Sequence, residues 1–237
     1  MPDESTVEQL LRQILKQLQT TRNIPSTALV LRQDAVRDGV EHIHGDRRFD
    51  HARVMLHNAE ALRAALAVAP SWDGMIAEFG VYRGTSLTMI AKHFPDLTVH
   101  GFDSFTGLPE AWAGPGKGKS AGFFDMGGTP PELQVDNVEF HVGWFDQTVP
   151  KFAAETSEPF RFAHLDADLY SSTKIVFDHL GDRLIPGTVI VFDEYFGYHG
   201  WQQHEHKAFE EFLAVSGLTF EAIAIGHMNL AVRLLAR

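Results

Sequence analysis

The stretch MIAEFGVYRGTSLTMIAKHF, residues 75–94, decides the fold. A short apolar run (MIAEF) leads into a turn bounded by Gly80 and Gly84, and the segment after it, opened by a Thr85/Ser86 cap, has amphipathic helical spacing. Strand, tight turn and helix in that order are the first half of a βαβ unit. The texture repeats downstream. LTVHGFD (97–103), VEFHVG (138–143), FRFAHLD (160–166) and TVIVFDEY (188–195) are further strands, and STKIVFDHLGDRLI (172–185) is a helix stopped by Pro186 and Gly187. After a helix over 203–215, LTFEAIAIGHMNLAVRLL (218–235) reads as two strands closing around Gly226, a hairpin at the sheet's edge. The expected fold class is α/β, a doubly wound and mostly parallel Rossmann-like sheet with a terminal antiparallel hairpin. Such sheets bind ligands at the C-terminal strand ends, near the point where strand order reverses.

Upstream the pattern is helical. Residues 4–22 place Val7, Leu11, Ile14 and Leu18 on one stripe, which must be covered by the domain's own surface or by a second copy in a homodimer or higher homo-oligomer. NIPS (23–26) breaks that helix, and further helices are expected over 28–40 and 49–69, the second ending before Pro70. The expected division is a helical extension over 1–70, providing lid, substrate or oligomer contacts, and a ligand-binding domain over 71–237.

Composition narrows the function classes. The 31 acidic residues outnumber 20 basic ones, for a formal charge of −11, and no Lys/Arg run offers a track for a phosphate backbone, so nucleic acid is excluded as the expected partner. Cysteine is absent, which removes disulfides and thiolate chemistry. The first twenty residues carry no apolar leader, and no run approaches membrane-spanning length; the expectation is a soluble, cytoplasmic protein without a membrane partner.

AGPGKGKS (113–120) ends like a phosphate-cradling loop, but Ala113 stands where the first glycine belongs. No strand delivers it and AGFFDMGGTPPE, which no helix would choose, follows it. The supports of a P-loop are missing, and the long connection 107–137 reads instead as a lid or binding loop.

The first turn is the better nucleotide site. G-x-G-x-x-G is absent, since Val81, Tyr82 and Arg83 separate Gly80 from Gly84, and bulky side chains there hinder a pyrophosphate. Glu78 makes anions less welcome still. A ligand with an ammonium, a sulfonium and an adenosine, S-adenosylmethionine, suits it: Glu78 can face the ammonium, Gly80 lets the backbone approach the amino-acid tail, and Asp103 can accept the ribose hydroxyls. Tyr82, Gly84, Ser86 and Ser104 flank this path, and Trp144 or Phe145 can stack on adenine or serve as ordinary core.

Four carboxylates meet at the next two strand ends: Asp166 and Asp168 in HLDADLY, Asp193 and Glu194 in FDEY. Crowded acids repel unless protonated or bridged by a cation. Asp166, Asp193 and Glu194 therefore form an expected magnesium site, with Asp166 also beside the cofactor and Asp168 the candidate base for an alcohol proton. Caps for the following helix are the competing role, for which Ser171, Ser172 and Thr173 also serve. His204 and His206, two apart on a helix, diverge and are expected to be solvated; His164 reads as a hydrogen-bonded core residue, and His199 as a substrate contact or second base.

Together EFGVYRGTSL, GFDSFTGLPEAW, GWFDQTVP, HLDADLYSSTK and PGTVIVFDEY resemble the macrocin-type (TylF-like) O-methyltransferases, which modify sugar hydroxyls on antibiotic natural products. The resemblance spans residues 75–213 with the motifs in family order. It implies a class I S-adenosylmethionine-dependent methyltransferase fold with Mg2+, metal ligands at Asp166, Asp193 and Glu194, and a base at Asp168. The family's Asp-Asp-Tyr is Asp193-Glu194-Tyr195 here, and the 107–137 segment and the helix with His204 and His206 also depart from it. The expected function is O-methylation of a small hydroxylated acceptor in natural-product biosynthesis. The alternatives are a nicotinamide-dependent dehydrogenase, which Tyr82 and Arg83 oppose, and a non-catalytic S-adenosylmethionine-binding protein.

Overall fold

The computed structural model describes Arg12, residues 26–115 and residues 118–237. The helix expected over 4–22 lies outside the described residues, apart from Arg12. In chain order the described strands are β1 (Arg53–Val54), β2 (Met75–Phe79), β3 (Val99–Asp103), β4 (Val138–Val142), β5 (Phe160–Leu165), β6 (Val189–Phe192), β7 (Leu218–Ile225) and β8 (Leu230–Ala236). They form one sheet in the order β1-β7-β8-β6-β5-β2-β3-β4. The run from β4 to β6 is parallel, and β8 is antiparallel to both its neighbours. β2 therefore sits between β3, reached by one crossover, and β5, reached after the chain has gone out to β4 and back. That is the reversal point, and the ends of β2 and β5 open a crevice there.

The helices are α1 (Thr27–Gly45), α2 (Asn58–Leu66), α3 (Thr85–His93), α4 (Phe145–Glu155), α5 (Tyr170–Leu180) and α6 (Glu205–Ser216). They cover both faces. One apolar cluster joins Phe79, Phe102, Phe192, Phe209 and Phe220, and the other joins Ile76, Leu87, Ile90, Phe162 and Val191. Every residue of β2 is buried, as a central parallel strand under two helical layers requires. The ladder runs one residue past the strands: Gly80 N donates to Phe102 O (2.9 Å), Asp166 N to Phe79 O (2.9 Å) and Asp193 N to Leu165 O (2.9 Å). Gly80, Asp166 and Asp193 thus stand level along one rim.

Three local expectations change. Residues 49–69 are not one helix: a 3₁₀ turn (Arg47–Phe49) and β1 precede α2. β1 pairs in parallel with β7, and Met55 N donates to Ile225 O at 2.7 Å, so the open edge of the hairpin captures a segment whose periodicity is helical. The hairpin is accordingly covered by β1 rather than forming the edge itself. α3 is capped by Gly84 at φ 73, without a side-chain cap from Thr85 or Ser86. His204 and His206 are not solvated: His206 Nδ1 lies 3.0 Å from Tyr195 Oη, and the His204 ring meets Trp112 edge-on.

The 107–137 connection is strapped to the body. Bridges join Thr106 to Asp125 and Trp112 to Lys119, and Trp112 is buried against Tyr198 and His204. Within AGPGKGKS, Lys119 bridges back to Trp112, and among the described residues no helix begins directly after the stretch. No described helix is long and apolar enough to cross a membrane.

Candidate active site

A cavity of about 620 Å³ opens at the reversal point. The first turn (Gly80, Val81, Tyr82), Asp103, Ser104, Trp144 and Phe145 form one side, and Asp166, Ala167, Asp168, Ser171 and Ser172 form another. Leu108, Glu110 and Phe124 from the strapped connection close over it, with Phe124 edge-on to Tyr82 at 5.2 Å.

The turn is held by Asp103. Its Oδ2 accepts from the backbone N–H of Val81 and of Tyr82, both at 2.8 Å, while Oδ1 accepts from Phe105 N at 2.7 Å. A carboxylate has about four acceptor sites, so this leaves little beyond one for a ligand. Tyr82 is bent into the left-handed region (φ 49), the strained geometry that an over-determined site tolerates. Gly80 has φ 94, and a Cβ there would overlap the carbonyl oxygen of Asp166. The glycine is required by close approach of β5 to the turn, before any ligand is considered.

Glu78 does not reach the cavity. It is fully buried, 2.7 Å from His164 Nδ1, and Ser86 also hydrogen-bonds it. Burial disfavours charge on His164, but the carboxylates of Asp193 and Glu78 outweigh it and hold the imidazole well above its usual pKa. Glu78 in turn is pushed up by burial, which its bond to His164 only partly offsets. Ser86 and Gly84 stand behind the turn, and His199 is exposed in the β6–α6 connection, away from the cavity lining.

Ligand oxygens of Asp166, Asp168 and Glu194 lie within 4.8 Å of one another. Asp193 meets Glu194 and is held by further partners. Its Oδ1 accepts from Asn229 Nδ2 (2.5 Å), its Oδ2 from Asn58 Nδ2 (3.4 Å), and Oδ1 lies 3.8 Å from His164 Nε2, beyond hydrogen-bond reach. The cluster has a further member, Glu205 at the start of α6. It is fully buried, with Oε2 accepting from Glu194 N at 3.2 Å. An acid in the first helical turn is an ordinary choice for the helix dipole, so sequence gave no sign of this role.

The electrostatics are those of crowded, buried carboxylates. Burial, and then the charge of Asp193, push Asp166 and Glu194 well above the carboxylate range, and raise Asp168 to about 7. Burial and then Asp168 do the same to Glu205. Glu194 Oε2 and Glu205 Oε1 are buried without a partner. Hard oxygen donors crowded around unpaired buried atoms fit a divalent cation of the magnesium type. Asp168 holds φ 60, so its carboxyl is aimed by a strained backbone.

A Rossmann-like sheet with a glycine turn on one side of its crevice and an acid cluster on the other is the architecture of the class I methyltransferases. A methyltransferase-domain family matches residues 77–195, half of the chain, and the protein belongs to it. A relative from Streptomyces olivaceus, 8-demethyl-8-(2,3-dimethoxy-alpha-L-rhamnosyl)-tetracenomycin-C 4'-O-methyltransferase, is 30% identical over 61% of this chain. The match spans 62% of that relative's length. Among solved structures, the O-methyltransferase NovP is similar with TM-score 0.57 and 22% identity, covering 75% of this chain and 79% of its own. The calicheamicin methyltransferase CalS11 is similar with TM-score 0.54 and 22% identity, covering 98% of this chain and 94% of its own.

Proposed function

We propose that the protein is an S-adenosylmethionine-dependent, Mg2+-dependent O-methyltransferase acting on a hydroxyl of a sugar carried by a small natural product. One observation carries the reading: cofactor-type residues and two acids of the cluster, Asp166 and Asp168, line the same cavity, with Glu194 close behind them. The family supports methyl transfer, and the rhamnosyl acceptor named for the Streptomyces relative supports a sugar hydroxyl. In this reading residues 71–237 are the catalytic domain, working in the cytoplasm. Asn58, from the N-terminal side of that division, bonds Asp193 beside the acid cluster.

The cofactor supplies an electrophilic methyl on a cationic sulfur. Gly80 to Tyr82 would hold its amino-acid tail, the remaining acceptor capacity of Asp103 its ribose, and Trp144 and Phe145 its adenine face. Asp166 and Glu194 would hold the ion, with Glu205 behind Glu194 and Asp168 beside them as the base. Asp193, bonded to two asparagines, orients that rim. Bound magnesium lowers the pKa of a nearby alcohol. Asp168, on the cavity wall, takes the hydroxyl proton, and Phe124, Leu108 and the aromatic wall exclude water. The reaction needs the acceptor oxygen in line with the methyl, which one cavity containing both sets of groups allows.

The test is release of S-adenosylhomocysteine from a panel of rhamnosylated and unglycosylated acceptors, with Mg2+ or with chelator. Turnover on a sugar hydroxyl, lost on chelation and in Asp166→Asn, is expected. Full turnover in chelator would remove the metal from the reading, and absence of S-adenosylmethionine binding by calorimetry would remove the cofactor.

A further inference from the structure

A second cluster of metal-ligating side chains lies outside this cavity, on the β3–β4 edge of the sheet. In the parallel register His100 stands opposite Glu139 and Phe102 opposite His141, so all four project from one face. His100 Nδ1 and His141 Nε2 lie 3.1 Å apart, and Glu139 Oε2 is 3.9 Å from His100 Nδ1. One ligand atom from each residue falls within 4.8 Å of the others.

The rings are fixed rather than free. His141 stacks on Phe102 (4.3 Å, 12° between planes), and Phe152 of α4 packs against both imidazoles at 4.9 and 5.0 Å. Two nitrogens on a tetrahedral zinc ion, each about 2.0–2.1 Å from the metal, are about 3.3 Å apart. The observed separation is close to that, so an ion needs little movement of either ring. A neutral imidazole has one lone pair, and the tautomers that put it on His100 Nδ1 and on His141 Nε2 let both rings ligate one ion in place of the contact between them. The exposed Glu139 supplies a negative oxygen at the mouth, leaving a fourth position for water.

We propose that His100, Glu139 and His141 form a second metal site, specific for a zinc-like transition ion, that pins edge strand β4 to β3. Two imidazoles and one carboxylate suit Zn2+, Co2+ or Ni2+ and are poor ligands for Mg2+, which sets this site apart from the acid cluster. Its position gives it a purpose. β3 ends in Asp103 and β4 leads through Gly143 into Trp144 and Phe145, so a clasp here steadies the adenosine side of the cavity.

The chain, free of any histidine tag, is titrated with Co2+ in excess Mg2+, which occupies the acid cluster while the visible d–d absorption of nitrogen-bound cobalt is followed. The wild type is expected to develop a saturable band and to melt at higher temperature with Zn2+. His141→Gln and the exposed Glu139→Gln are expected to lose or weaken both, whereas Asp166→Asn keeps them. Glu139→Gln guards against a folding defect in the histidine variant. Absence of a band in the wild type, a band that survives His141→Gln, or a band lost in Asp166→Asn overturns the proposal; none of these results depends on whether the methyl-transfer reading holds.

Discussion

At the scale of single residues, the site turns on what Asp103 and Asp168 spend their oxygens on. Asp103 accepts three backbone N–H groups and so shapes the turn as much as it touches a ligand. Asp103→Asn replaces an acceptor by a donor facing N–H groups, and it is expected to weaken S-adenosylmethionine binding by about 1.5–3 kcal/mol, the range for a charge-assisted bond, in calorimetry. Asp168→Asn is expected to lower kcat roughly 10²–10⁴-fold with cofactor affinity little changed, as removal of a general base does. That acids crowd the ends of β5 and β6 was legible in the sequence, since HLDADLY and FDEY set four carboxylates there; that Glu205 joins them was not. How they are held was not: Asn229 and Asn58, both remote in sequence, bond Asp193, which also meets the Glu194 side chain. Glu78 was legible as special and not as buried, since its partner His164 arrives from another strand.

At the scale of elements, β2 to β8 follow from apolar runs and turn glycines, which are local signals. β1 and α4 do not. β1 exists because a hairpin edge was open, a tertiary cause that overrides helical periodicity. α4 contains Pro150, which ordinarily argues against a helix interior, yet Phe152 and Val149 are buried against the sheet. The 107–137 connection is the element whose behaviour is most open to test. Trp112 is its anchor, buried between Tyr198 and His204. Trp112→Ala is expected to cost about 3–5 kcal/mol of packing, if the core stays otherwise intact. Because the connection closes only one wall, the variant should show faster proteolytic nicking between residues 105 and 126 and a raised KM for acceptor. S-adenosylmethionine affinity should fall less, since Asp103 and the first turn remain.

Across the whole molecule, acid sensitivity has a source away from the cavity. His206 is held at about 4, by burial first and then by the charges of His42 and Arg48. Unfolded, it titrates near 6.5. Between those values the unfolded chain binds a proton that the folded chain refuses, so stability present above pH 6.5 is lost as pH falls toward 4. The full shift corresponds to about 3 kcal/mol. The buried acids of the site, raised in the fold, act in the opposite sense, so the readout is the difference: between pH 7 and pH 5 urea unfolding should show stability changing less favourably in the wild type than in His206→Phe, even though that variant loses the bond to Tyr195 and starts less stable. The contact between Gly80 and the Asp166 carbonyl also reaches across the molecule. Gly80→Ala is expected to destabilise by roughly 3 kcal/mol or more, measured by denaturant, because the added carbon has nowhere to go. That contact makes the glycine turn and the acid-bearing rim a single fitted joint, drawn from chain segments far apart in sequence. Anyone building chimaeras can exchange the strapped connection if Trp112 and its seat travel with it, but a crossover placed between the second and fifth strands must carry both sides of the joint from one parent.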